Sequence, residues 1–481
     1  MTSNPLSQAP VLKPGGYREL LRVAWPLMIS MGSFTLMQFV DRMFLAWHSP
    51  VSIQAAVPAG ILHFTFVCAF MALAGFSNMF VAQFEGAGDP AGCSRATAQS
   101  VWVALISWPI MLLLIPAGQW VLRSSGHPTD VLEEELIYFT ILMLGSVATP
   151  LGAAVSGFFT GLGNTRIVMI ATVTANAVNV VLDYLLIFGH AGFPAMGIRG
   201  AAWASVISAF IMPIILFVLY FGPRFNHRYL TRSNFRWDGA LFWRLIRFGT
   251  PSGVHMALDV ASFAIFILLT GRMGAVALAA SNIALSVNML AFLPMIGIGI
   301  AASTVVGQYQ GRQEPHYAER AGWTAFKIGI TYMTVIGLSY VLFPTFYLGF
   351  FTERSGADLS LAEIYPVGRV LMVIMAVWGL TDAANLALSG ALKGAGDTRF
   401  VMLFSLIMAW GMLVPGQILL VFILGYGVIA TWLWTAFYIM LMAIGFTWRF
   451  RQGRWKTIDM LGTGQAVQPN RPGAEAVLVV D

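Results

Sequence analysis

The sequence predicts an all-α integral membrane protein, with twelve transmembrane helices in two six-helix lobes related by a pseudo-two-fold axis along the membrane normal. The first supporting observation is composition: of 481 residues, 58% are hydrophobic and only 10% are charged, and the mean hydropathy is +0.76. A soluble domain needs more charge to cover its surface, whereas each membrane-spanning helix needs about 20 mainly apolar residues. The second observation is that sequence markers of the first half return in the second half.

The apolar runs are long enough for helices and too long for the strands of a membrane β-barrel. Such strands alternate apolar and polar residues over about 10 positions, whereas the runs here exceed about 20 and are rich in Leu, Ala, Ile, Met and Gly. Segmentation gives twelve predicted spans, near 20–46, 55–83, 97–120, 136–160, 167–189, 198–221, 242–271, 277–305, 318–347, 366–390, 400–424 and 426–450.

The distribution of basic residues predicts the orientation of these spans. Most Arg and Lys side chains, among them Lys393, fall in segments on one side, and the other side holds chiefly Arg123, Arg199, Arg272 and Arg354. The positive-inside rule therefore places both termini in the cytoplasm, and the protein is expected in the inner (cytoplasmic) membrane. The net charge of +6 indicates orientation rather than nucleic-acid binding.

The ends and the middle of the chain are polar. The first 20 residues lack a short apolar core followed by a small-residue cleavage site, so we expect no signal peptide. We predict a first lobe over 1–221, a basic cytoplasmic linker over 222–241, a second lobe over 242–456, and a disordered tail over 457–481. Cys68 and Cys93 indicate neither a disulfide framework nor a metal site.

Three markers occur twice and in the same order. The Gly-rich break SGFFTGLGNTR at 156–166 returns as SGALKGAGDTR at 389–399, VAQFEG at 81–86 returns as VGQYQG at 306–311, and Arg22 with Pro26 returns as Arg247 with Pro251. Two halves of six spans each have the same orientation, so the axis relating them runs along the membrane normal and the working site is expected between or inside the lobes.

Polar residues share one helical face in two spans of the first lobe. In the fifth span, Asn176, Asn179 and Asp183 stack with Thr172; in the first span, Gln38 and Asp41 stack with Thr35. An ionisable residue inside an apolar span predicts a functional site, since an unpaired carboxylate in hydrocarbon is costly. The alternatives are that the asparagines only join helices by hydrogen bonds and that Asp41 is a solvated helix end beside Arg42.

Two spans of the second lobe carry similar faces. His255 and Asp259 stack with Ser252 and Ser262 in the seventh span. Asp382, Asn385 and Ser389 form a shorter stripe in the tenth. The His–Asp pair either takes part in ion coupling or is a passive pair.

At this level of detail the chain resembles the multidrug and toxic compound extrusion family, within a larger group that also exports polysaccharides and lipid-linked sugars. The resemblance rests on Gln38-x-x-Asp41, the break at Gly161–Arg166, Asn179-x-x-x-Asp183, the Gly197–Ser205 segment, and Asp382 upstream of Ser389-Gly-Ala-Leu-Lys-Gly. It covers nearly the whole chain except the tail, and it implies two lobes in a V-shaped arrangement.

The resemblance implies alternating-access export of cationic or amphipathic compounds, coupled to inward flow of H⁺ or Na⁺. Some branches of the family place the coupling acids in the first lobe, matching Asp41 and Asp183, and others in the second, matching Asp259 and Asp382. This chain carries both sets, so a Na⁺ site could lie at either. We expect coupling in the first lobe, at Asp41, Asp183, Asn179, Asn176, Gln38 and Ser205, with Asp259, Asp382, His255 and Asn385 as the alternative.

Other functions are weighed against this one. A flippase for a lipid-linked saccharide would favour Arg and Lys in its cavity, whereas the membrane-embedded charges here are mostly Asp. No His-Glu-x-x-His, Gly-x-Ser-x-Gly or nucleotide-binding loop occurs, so we expect no enzyme. The expected partners are small amphipathic or cationic substrates and the lipid bilayer, with no nucleic acid, no cofactor besides the coupling ion, and a monomeric protein.

Overall fold

A computed structural model of the chain describes residues 13–352 and 361–462. Residues 1–12, 353–360 and 463–481 lie outside it, and with them the loop around Arg354 and most of the predicted tail. Within the described ranges the secondary structure is entirely helical.

The described part of the first half contains ten helices. They are α1 (Tyr17–His48), α2 (Pro50–Gly75), α3 (Ser77–Gly86), α4 (Pro90–Leu113), α5 (Ile115–Arg123), α6 (Thr129–Leu144), α7 (Ala148–Gly161), α8 (Thr165–Phe188), α9 (Ile198–Tyr220) and α10 (Pro223–Tyr229).

The second half continues with α11 (Gly239–Gly271), α12 (Ala275–Gly311), α13 (Pro315–Leu342), α14 (Pro344–Thr352), α15 (Leu361–Gly394), α16 (Thr398–Met408), α17 (Val414–Ile418) and α18 (Val428–Gln452). Two π-helical turns, Ala409–Leu413 and Leu419–Ile423, flank α17. Pro415 cannot donate the helical hydrogen bond, and the wider π turns on either side accommodate its ring.

Eleven helices or helix pairs of the described chain are long and apolar enough to cross a membrane, or twelve when the bent pair α6–α7 is taken as one span. The predicted fourth span is therefore not straight: α6 and α7 meet at 41° around residues 145–147. Pro150 lacks the N–H that would continue the helix, and a Cβ on Gly145 would collide with Val206 of α9. Both features favour a break.

Each Gly-rich break of the repeat forms a tight turn. Gly163 and Gly396 occupy equivalent positions with φ of 79° and 94°, the left-handed region that glycine adopts without strain. The break thus ends α7 and α15 on one face of the bundle, and the next helix starts at Thr165 or Thr398. We call this face, which also carries the ends of α3, α9 and α12, the basic face.

The two lobes exchange helix ends at the basic face. Leu20 and Val23 of α1 pack into the core built by the second half. Leu241 and Leu245 of α11 pack into the inner core of the first half. Since α1 and α11 are the first helices of their halves, the exchange is mutual, and the division of lobes at 221 and 242 stays a prediction.

A pair of glutamines joins the lobes across the pseudo-two-fold axis. Gln83 of α3 donates from Nε2 to the carbonyl of Gly394 at 2.9 Å, and Gln308 of α12 donates from Nε2 to the carbonyl of Gly161 at 2.8 Å. In the repeat, Gln83 corresponds to Gln308 and Gly161 to Gly394. Equivalent contacts on the same face require an axis perpendicular to the membrane, as predicted; an in-plane axis would place them on opposite faces.

The predicted linker is folded rather than loose. It contains α10, whose Phe225 and Tyr229 pack into the first-lobe inner core, and Asn234 donates to Ser94 Oγ at 3.0 Å. The linker is therefore carried by the first lobe.

The chain stays packed beyond Lys456, where the disordered tail was predicted to begin. Trp455 is fully buried in the second-lobe core, whereas Met460 is fully buried in the first-lobe inner core. Gln310 Nε2 donates to the carbonyl of Lys456 at 2.9 Å. Residues 454–462, which we call the C-terminal strap, thus cross from one lobe to the other on the basic face.

A buried ion pair is expected to stabilise the second lobe. Asp397 Oδ2 accepts from Arg449 Nε at 2.7 Å, and the two side chains are only 6% and 15% exposed. Asp397→Asn should lower the unfolding free energy by roughly 3 kcal/mol, because removing one partner leaves a buried charge uncompensated. Thermal unfolding in detergent measures this. In the matched control Asp89→Asn, which disrupts a surface pair with Arg95, the change should stay below about 1 kcal/mol, and equal shifts in both variants would contradict the expectation.

Candidate functional site

Four helices of the first lobe bring polar side chains together at a second buried core of that lobe, which includes Phe44, Tyr138 and Ile187. Asp41 comes from α1, Tyr138 from α6, Asp183 from α8 and Ser205 from α9. Asp41 and Asp183 lie close enough to interact electrostatically, and Tyr138 interacts with both of them and with Ser205. With Asn179 these residues form what we call the first-lobe site.

Asp183 is the most isolated member of the first-lobe site. Its side chain is fully buried and Asn179 is 1% exposed. Among the residues that the structure describes, none donates a hydrogen bond to either carboxylate oxygen of Asp183 or to Asp41 Oδ1. A buried carboxylate without a donor is expensive when ionised, so the site favours uptake of a positive charge.

The fifth-span stripe predicted from the sequence faces two neighbours. Asn176 Nδ2 donates to Ser33 Oγ of α1 at 2.7 Å, so the first and fifth predicted spans pack together. Thr172 Oγ1 contacts the sulfur of Met212. Asn176 thus joins helices, as the alternative interpretation holds, while Asn179 and Asp183 lie deeper in the site.

Asp41 is not the solvated helix end of the alternative interpretation. It is half-buried, whereas Arg42 is exposed, and no ion pair joins them within the described residues. Gln38 is half-buried one turn earlier on α1.

Tyr138 is the member of the first-lobe site that sequence reasoning missed. It is 5% exposed and lies in a span whose other residues give no polar stripe. A single tyrosine in an apolar helix has no spacing signal, so only the packing of α6 against α9 identifies it.

In the second lobe, His255 lies at the centre of a polar cluster. Its Nδ1 is 3.2 Å from Asp259 Oδ2, and its Nε2 is 2.9 Å from Ser405 Oγ of α16. Asp382 is 7% exposed and accepts from Asn385 Nδ2 at 3.4 Å. The predicted second-lobe acids therefore do come together, since Asp259 and Asp382 interact electrostatically.

Lys393 adds a charge that the sequence did not place here. It was assigned to the cytoplasmic segments, yet its Nζ lies 3.5 Å from His255 Nδ1 and its ammonium interacts with Asp259. We call His255, Asp259, Asp382, Lys393 and Ser405 the second-lobe cluster.

The two sites lie at different depths. Asp41 follows Pro26 by fifteen residues, whereas Asp259 follows the equivalent Pro251 by eight. At 1.5 Å per residue, the second-lobe cluster is about 10 Å nearer the basic face. No group of three or more His, Cys, Asp or Glu side chains in the described chain is arranged to hold a metal ion. A Na⁺ ion would therefore need amide, hydroxyl or carbonyl oxygens besides the carboxylates.

A protein-family model described as MatE matches residues 26–185 and 251–419, which together make up more than half of the chain. "Probable multidrug resistance protein NorM" of Brucella suis biovar 1 is 26% identical over 436 residues, covering 90% of this chain and 92% of the relative. The protein of the same name from Bradyrhizobium diazoefficiens is 29% identical over 421 residues, covering 86% and 89%.

Solved structures share the fold. A crystal structure of MATE in complex with MaL6 has a TM-score of 0.82 at 22% identity and covers 92% of this chain and 97% of that one. A structure described as the outward-facing conformation of a multidrug resistance MATE family transporter also has a TM-score of 0.82, at 21% identity, covering 91% and 96%.

Proposed function

The chain belongs to the MatE family of membrane transporters, a multidrug efflux family with members of this multi-pass helical fold, and from this premise we propose that it is a secondary antiporter. It exports cationic or amphipathic compounds by alternating access and takes H⁺ or Na⁺ inward. The observation that carries the coupling is the pair Asp41 and Asp183, with Asp183 fully buried and without a donor from the described chain.

Coupling follows from competition for these carboxylates. In a low-dielectric site, an organic cation gains a strong attraction to a carboxylate, and a proton or Na⁺ that reaches the same group removes that attraction. Two carboxyl groups that interact electrostatically also resist carrying two negative charges together. Substrate and coupling ion then bind alternately, and they cross the membrane in opposite directions.

The packing supports an outward-facing state for this structure. The contacts Gln83–Gly394 and Gln308–Gly161 join the lobes at the basic face, which we assign to the cytoplasm. Closing contacts on that side leave the opposite side as the route of access. The protein then lies in the inner membrane with both termini cytoplasmic, acts as a monomer and binds no nucleic acid.

An ion-replacement assay tests the proposal. Proteoliposomes loaded with a fluorescent organic cation are given an imposed H⁺ gradient, an imposed Na⁺ gradient, or neither. We expect export driven by one gradient and stoichiometric movement of that ion. Export that ignores both gradients would contradict antiport, and gradient-independent movement of a lipid-linked saccharide between leaflets would favour the flippase instead.

A further inference from the structure

The second-lobe cluster already contains a cation of its own. Lys393 projects from the last turn of α15 towards α11, and its ammonium lies 3.5 Å from His255 Nδ1. The same ring nitrogen lies 3.2 Å from Asp259 Oδ2. One imidazole nitrogen thus stands between an ammonium and a carboxylate.

The repeat shows that this cation belongs to one lobe only. Aligning SGFFTGLGNTR with SGALKGAGDTR places Lys393 opposite Thr160, which is 4% exposed and uncharged. The first-lobe site therefore has two interacting carboxyl groups and no lysine, whereas the second-lobe cluster has two carboxyl groups and a tethered ammonium.

We infer that Lys393 acts as a built-in cation that occupies the place of a free monovalent cation beside Asp259, the acid that interacts electrostatically with Asp382. The second-lobe cluster of the parent protein then binds no Na⁺, and free-cation coupling is left to the first lobe. Only that last step rests on the proposed antiport; the exclusion of Na⁺ from the second lobe does not.

The chemistry of the cluster supports this role. An ammonium offers three N–H donors and one positive charge, which offsets the negative charge of neighbouring carboxylates. Asp382 is 7% exposed, whereas the Asp259 side chain is 40% exposed. His255 extends the contact, because Nδ1 can accept from Lys393 while Nε2–H donates to Ser405, or donate to Asp259 while Nε2 accepts from Ser405. In either arrangement the lysine charge stays beside the acids. Removing it leaves two interacting carboxylates with oxygen neighbours from Ser405 and Asn385, a set that suits Na⁺.

The test measures Na⁺ binding to full-length protein purified in detergent. Thermal unfolding is followed at pH 8 in NaCl and in choline chloride of equal ionic strength, always in an Asp183→Asn background so that the first-lobe site does not contribute. Asp183→Asn alone should show no Na⁺-dependent rise in Tm. Asp183→Asn with Lys393→Met should show a rise of about 2–4 °C, since a ligand that binds only the folded state stabilises it.

Two further variants locate the effect. Adding Asp259→Asn to the Lys393→Met protein should abolish the rise. The matched control Lys327→Met removes an exposed lysine of α13 and should show no Na⁺-dependent rise in Tm. Should Lys393→Met fail to fold, Lys393→Gln removes the charge while keeping a hydrogen-bonding side chain.

Either of two results would overturn the inference. A Na⁺-dependent rise in Asp183→Asn alone, lost on Asp259→Asn, would show that the lysine does not exclude the ion. A folded Lys393→Met or Lys393→Gln protein without any rise would show that the ammonium occupies no cation site. Failure of the proposed antiport appears in a different measurement, the gradient-driven export of the parent protein.

Discussion

Replacing Asp183 by Asn should reduce ion-gradient-driven export to about a tenth of the parent rate or less, although the protein still inserts and folds. Asn keeps the shape of the side chain but neither binds a proton reversibly nor carries a negative charge, so substrate and ion no longer compete for a carboxylate at this position. Asp183 is fully buried beside Asp41, so solvent cannot take the place of its carboxylate. Export of a fluorescent cation from proteoliposomes measures the effect.

The matched control is Asp130→Asn, which replaces an exposed aspartate in the first turn of α6. It should export at the parent rate. If Asp183→Asn exports normally while Asp259→Asn or Asp382→Asn does not, coupling lies in the second lobe and the assignment is wrong.

Replacing Gly86 by Val should hold the basic face apart and lower export by a comparable amount. A side chain at Gly86 would collide with the backbone carbonyl of Gln308, and the repeat-equivalent Gly311 meets the carbonyl of Gln83 in the same way. Overpacking of this kind costs roughly 1–3 kcal/mol, which would change the ratio of closed to open states by about five- to 150-fold. Backbone cannot move aside as a flexible side chain can.

Spin labels at Ala87 and His316, which are exposed on the two lobes, report the separation of the lobes. The distance between labels should lengthen in Gly86→Val and stay at the parent value in Gly60→Val, where a Cβ meets nothing within 4 Å. An unchanged distance in Gly86→Val would show that this contact does not close the basic face.

Most of the fold follows from the sequence because long apolar runs identify membrane-spanning helices. The lengths of the apolar runs predict the number of spans and their helical class. The repeated markers, such as the two Gly-rich breaks, predict the symmetry axis. The bend at residues 145–147 was missed, although Pro150 signals it, because an apolar run does not reveal where its hydrogen bonds fail.

The candidate site was predictable only where its residues share a helix. Asn179 and Asp183 stand on one face at a spacing of four, and the structure does bury them together. Tyr138 joins its site from α6, so no spacing within a helix could identify it. Lys393 lies on α15 four residues after Ser389 and therefore continues the stripe of Asp382, Asn385 and Ser389, but the predicted stripe ended at Ser389. A lysine at a helix end is usually solvated, so the pattern did not reveal that the four-carbon stem of Lys393 turns inward to His255.

The C-terminal strap sets a limit on how far the lobes can part. It is anchored by Trp455 in one core and by Met460 in the other, with five peptide steps between them. A fully extended chain covers at most about 3.3–3.6 Å per residue, so the strap allows the two anchors to separate by at most about 17 Å. Any opening of the basic face that separates the two anchors further must pull Met460 out of its apolar surroundings, so the length of a peptide, and not only the shape of the lobes, limits how wide a mouth can form there.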